Sequence, residues 1–249
     1  MRIGNPALKS EIFLRFKGLT DTAHLMTFQG TVNRTILLLF LVLCSSIWIW
    51  NIYFSSGSQK AVIPWIIGGT VGGFIFALIT IFRKQWSPFT APIYALLEGF
   101  ALGGISSMFN AQYPGIVIQA VGLTFGILFS LLVVYKTRLI KVTENFKLGI
   151  VSATGSIFLI YTISLIINLS GAHIPFIHES GFIGIGFSLF VVVVAALNLL
   201  VDFDSIEQGV AQRVPKYMEW YAAFGLMLTL IWLYLEILEL LSKLQEADD

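Results

Sequence analysis

Cysteine is almost missing from this sequence. The 249 residues include one, Cys44, inside an apolar run, so no disulfide can form within the chain and a metal site built from cysteines is excluded. Histidine is nearly as scarce. Its three copies are scattered and none lies in an apolar run, so zinc chemistry on histidines inside a membrane is not expected. Charged residues amount to 12%, against roughly 25% in a soluble domain. The formal net charge of +1 points to neither a nucleic-acid partner nor an acidic tail. The last apolar run has no lysine near its middle, which excludes a retinal Schiff base of the usual kind. No nucleophile with its base stands out. The expectation is a chain that is not an enzyme and carries no cofactor or metal.

What the chain has in excess is apolar surface: 57% of its residues are hydrophobic and its mean hydropathy is +0.85. Seven apolar runs each approach the roughly 20 residues that a bilayer-spanning helix needs. They fall at 35–54, 62–82, 90–108, 114–135, 148–169, 181–201 and 217–241. The expected fold is all-α, a polytopic membrane protein of seven transmembrane helices. A leader, 1–34, would precede a membrane domain, 35–243, and a short polar tail, 244–249, would follow. In the leader, Phe13, Leu14, Phe16 and Leu19 suit an amphipathic helix on the membrane surface; a loosely ordered segment fits as well. No cleavable signal peptide is expected, since charged sequence precedes the first apolar run.

Charge gives an orientation. Thirteen of the fifteen basic residues lie in the leader or after spans two, four and six, leaving Lys60 and Lys243 on the other side. The positive-inside rule then places the N-terminus in the cytoplasm and the C-terminus outside. Glu236, Glu239 and Lys243 near the end of the last span leave a re-entrant helix as the alternative.

Asp202 closes the sixth apolar run. On a helix it shares a face with Asn198, Ala195, Val191, Ser188 and Gly184, a mostly small or polar stripe suited to helix contact. Asp204 points to roughly the opposite face, so the two acids are not expected to share a site. Glu98 falls mid-span, where an ionised and unpaired carboxylate costs roughly 3 kcal/mol or more; it should be protonated, paired or next to water inside the bundle. Gly99 and Gly103 lie beside it at four-residue spacing, and Gly68 and Gly72 overlap a second pair, Gly69 and Gly73, in span two. Such spacings let helix backbones approach closely. Ser152, Thr154 and Ser156 are expected to bond their own helix. His173, His178 and Glu179 read as solvated loop residues. Glu236 and Glu239 are either interfacial or the mouth of a polar pathway.

These residues carry a resemblance. Val201-Asp202-Phe203-Asp204-Ser205-Ile206 is similar to the sixth-span signature of the Bax inhibitor-1 (TMBIM, or YccA-like) family, and the stretch from Leu97 to Phe109 resembles its third-span pattern. The basic turn at Arg83-Lys84 resembles that family's too, and Asn5-Pro6 and the stretch from Met26 to Val32 are similar to a bacterial branch of it. The resemblance covers essentially the whole chain. It implies seven helices with the last one central, a bacterial inner-membrane location, and a pH-dependent calcium leak. It implies a pH sensor made of two buried aspartates, with an arginine latch. Asp202 matches the first aspartate and Arg83 the latch. The place of the second aspartate, near Gly225 to Met227, holds no acid. Either Glu236, roughly 16 Å further along the helix, or Glu98 takes that role, or the pair is absent.

The expected function is thus a pH-sensitive calcium or cation leak, with calcium ions or protons as permeant species in a lipid bilayer. Protonating Asp202 would release Arg83 and free a cytoplasmic latch. Two other readings remain open: a regulatory partner of a membrane-anchored AAA protease acting through the leader, and a proton-coupled secondary transporter.

Overall fold

The computed structural model describes residues 25–169 and 181–248. The expected amphipathic segment around Phe13 and the loop bearing His173, His178 and Glu179 lie outside the described residues. Seven long helices follow one another: α1 (Phe28–Ser56), α2 (Ile63–Phe82), α3 (Ser87–Gln112), α4 (Ile116–Lys136), α5 (Glu144–Leu169), α6 (Phe182–Ala211) and α7 (Met218–Asp248). All seven are long and apolar enough to cross a membrane. The chain is an all-α polytopic membrane protein.

The helix ends follow local chemistry. The Thr27 side chain accepts a hydrogen bond from the Gly30 amide at the start of α1, and Gly57 ends that helix in the left-handed region at φ 61°. Proline opens both α2 and α3, where its missing N–H is no loss. These signals correct the expected segment boundaries. The cap at Thr27 lies before the Thr35 expected for the first span, so residues 28–34 belong to α1 rather than to a separate leader. At the other end α7 runs unbroken to Asp248, through the expected polar tail and with no re-entrant turn.

The last helix is central. Half of its most apolar window is buried (50%), with 56% for α3 and 44% for α6, against 17% each for α2, α4 and α5. Two apolar cores meet on it. One joins Leu38 and Val42 of α1, Tyr94 and Leu102 of α3, and Phe224 and Met227 of α7. The other joins Ile116 and Ala120 of α4, Leu199 and Phe203 of α6, and Leu230 and Leu233 of α7. Large apolar side chains such as Phe82, Phe89, Ile118 and Phe158 face outward, as they must where the surroundings are hydrocarbon.

Close approach depends on a few glycines. A side chain at Gly99 would overlap Ser45 and the Val42 carbonyl of α1, and one at Gly103 would meet the Ser46 backbone. Ser46 uses this proximity to donate to the Gly99 carbonyl at 2.9 Å. Between α2 and α3 the tight positions are Gly69 and Gly73, both buried. Gly68 has nothing near it, and Gly72 meets only the end of Leu97. The close contact therefore belongs to the second of the overlapping pairs.

Candidate functional site

An apolar helix that must span lipid has few polar residues to place, and α7 places three at seven-residue intervals: Thr229, Glu236 and Lys243. Seven residues is close to two turns, so all three share one face. Each meets a polar partner from a neighbouring helix. Thr229 faces the carboxylate of Asp202 on α6. Glu236 receives the Tyr161 hydroxyl of α5, at 3.0 Å to each oxygen, and the Trp232 indole N–H at 3.0 Å. Lys243 donates to Ser188 of α6 at 2.8 Å and pairs with Glu239 at 2.8 Å. The contacts of Asp202 with Thr229 and of Ser188 with Lys243 put α6 and α7 in one antiparallel register. That register sets the small Ala195 opposite Glu236.

Between the two contacts, Asn198 of α6 donates to Thr154 of α5 at 2.8 Å and to the Val194 carbonyl at 2.9 Å. The Thr154 side chain, expected to bond its own helix, accepts instead across to α6, whereas Ser156 donates to the Ser152 carbonyl of α5 as expected. A polar thread thus runs along the junction of α5, α6 and α7, inside an otherwise apolar bundle. Its lower-lying acid, Asp202, is one partner short: its Oδ2 is buried with no hydrogen bond. Glu236 is 5% exposed. It lines a cleft of about 740 Å³ between α5 and α7, together with Thr154, Phe158, Tyr161, Trp232 and Glu239.

Asp204 lies apart from Asp202. It pairs with Lys147 at the start of α5 at 2.7 Å and accepts from Gln208 at 2.6 Å. Glu98 sits elsewhere again, half-buried between α2 and α3, next to Tyr94 one turn back and against the bare backbone of Gly73.

The expected pair of Arg83 and Asp202 does not form. Arg83 ends α2 in an exposed position, with its guanidinium 6.0 Å from the Trp86 ring. No basic residue among the described ones pairs with Asp202. The cause is depth: Asp202 lies about 14 Å inside the end of α6, whereas Arg83 stops at its own helix end. The group that meets Asp202 from α7 is a threonine, so Asp202 and Glu236 do not form a carboxylate pair.

Sequence reasoning missed a buried acid at the basic end. Glu219, 2% exposed, accepts from the Thr27 amide at 3.1 Å and the Thr27 hydroxyl at 2.9 Å. Arg34 stands 4.0 Å away over the Trp220 ring. A side chain at Gly30 would collide with the Glu219 carboxylate. Beside it, the Met26 amide donates to the Val214 carbonyl at 2.9 Å and the Ser87 hydroxyl to the Tyr217 carbonyl at 3.0 Å. The chain entering α1 is thereby tied to the start of the central helix.

The sequence pattern of the Bax inhibitor 1 like family matches residues 5–246. The chain belongs to that family. No curated protein and no solved structure matches it. In this member of the Bax inhibitor 1 like family the acids inside the spans are dispersed over three helix contacts. Among the described residues no three of His, Cys, Asp and Glu gather as a metal site would need.

Proposed function

We propose that this protein is a pH-sensitive cation leak of the Bax inhibitor-1 type, carrying calcium or protons, with its N-terminus in the cytoplasm. The observation that carries the reading is the polar thread from Asp202 and Thr229 through Glu236 to Lys243, on the one helix shared by both cores. Ionisable groups inside a membrane bundle mark ion or proton routes. Single carboxylates in succession, with no cage of ligands, suit passage over retention, because a permeant ion must be able to leave. The basic helix ends gather where Glu219 and Lys147 lie, and the positive-inside rule assigns that end to the cytoplasm.

Two carboxylates supply the pH dependence. Asp202 faces Thr229 across the helix contact and stands one turn beyond Asn198 on its own helix. Glu236 faces Tyr161, Trp232, Glu239 and Lys243. Protonation removes the charge that would attract a cation at each position. The test is calcium and proton flux into liposomes containing only this protein, across pH. The expected result is a protein-dependent, pH-dependent flux; liposomes no leakier than empty ones at every pH would end the reading.

A further inference from the structure

The cleft between α5 and α7 has features that the leak does not require. Its lining is mostly apolar, with Ile157, Phe158 and Leu165 on α5 and Leu235 on α7, and into it come Glu236, Glu239, Tyr161 and Trp232. Its volume of about 740 Å³ falls in the usual range for small-molecule sites, roughly 300–1,000 Å³. The Glu236 carboxylate is buried and held from two sides by neutral donors, so its position is set before any ligand arrives. The two donors, Tyr161 and Trp232, also bring aromatic rings to it. Lys243, the nearest base, does not line the cleft and turns to Ser188 and Glu239. The rim residues Phe158 (69% exposed) and Leu165 (60% exposed) face lipid, so the cleft opens sideways into the bilayer.

We infer that this cleft binds an amphiphilic organic ammonium ion, its charge on Glu236 among the aromatic rings and its apolar body along α5. A buried carboxylate whose hydrogen bonds come only from neutral donors gains from a cation placed directly on it, and ammonium groups are favoured over aromatic faces. A small hydrated metal ion would leave the apolar lining unused. An anion would meet two carboxylates. A neutral lipid chain would cover that lining and leave the charge unanswered. The cation would come from the membrane, where such amphiphiles concentrate. This binding is independent of conduction and holds whether or not ions pass.

The experiment uses the full chain in detergent micelles, titrated with benzyltriethylammonium and with its neutral isostere, in which a quaternary carbon replaces the nitrogen. The ammonium is expected to bind saturably and at least tenfold more tightly than the isostere. Glu236→Gln is expected to lower its affinity tenfold or more. Equal binding of the two compounds, or unchanged affinity in the variant, would overturn the inference. A second measurement needs no variant: a diazirine derivative of the ammonium compound should label wild-type protein within residues 154–168 and 232–239, and excess unlabelled ammonium should protect both. Labelling elsewhere, or without protection, overturns it equally. Neither readout involves flux, so a protein that binds but does not leak refutes only the leak.

Discussion

Asp202 is the residue whose protonation has most to change. It is buried at one oxygen, meets a hydroxyl, and has no charged partner among the described residues. Asparagine fixes the neutral form, so Asp202→Asn at neutral pH should behave as the wild type does in acid, and its flux should lose most of its pH dependence. An unchanged flux profile would remove Asp202 from the sensor. Arg83 carries the opposite expectation. Its guanidinium lies over Trp86 at an exposed helix end, so Arg83→Ala should leave both flux and pH profile as they are; a flattened profile would show that the pair forms in another state of the protein.

Helix contacts depend on individual positions in the same way. Glu219 serves the Thr27 amide, its hydroxyl and Arg34 together. Removing it takes the charged acceptor from two part-buried hydrogen bonds, and hydrogen bonds to charged groups contribute about 1.5–3 kcal/mol each. Glu219→Ala should lower the thermal unfolding temperature in detergent, and Glu219→Gln should lower it less because an acceptor oxygen remains. Gly30→Ala attacks the same contact by volume, and overpacking costs about 1–3 kcal/mol. The α2–α3 contact offers a paired test. Gly69→Val should destabilise, because any side chain there meets the Leu97 carbonyl and the Ala101 amide, whereas Gly68→Val should be tolerated in open space. Equal effects of the two substitutions would contradict this packing of α2 on α3.

For the molecule as a whole, the orientation is open to direct measurement. A reporter active only in the cytoplasm, fused after Asp249, should be inactive, because α7 crosses without a break from the basic end. Activity of that fusion would invert the assignment. Truncation can separate a leak from a protease modulator, but the cut must stop short of Leu25. Met26, Thr27, Gly30 and Arg34 belong to the packed bundle. Deleting residues 1–24 should leave a leak intact, whereas a modulator acting through its leader would fail.

The number of spans, their approximate places and the family pattern were legible in the sequence. Apolar length and a bias in lysine and arginine survive without knowledge of any contact. The separation of Asp202 from Asp204 was also legible, because two residues along a helix reverse the face. Gly69 and Gly73 were not separable from Gly68 and Gly72, since both pairs satisfy the same spacing and only the rotation of α2 against α3 selects one. The polar thread left a faint trace, Thr229, Glu236 and Lys243 at seven-residue spacing, but its partners Tyr161, Asn198 and Ser188 lie on other helices at no fixed separation. Glu219 was hidden among the polar residues of a helix end, where an acid is ordinarily solvated. The absence of an Arg83–Asp202 pair had no signal in the sequence at all. Local composition determines that a segment enters the membrane; how far each side chain lies along and around its helix is decided only when the helices pack, and that is where the acids of this protein acquire their partners.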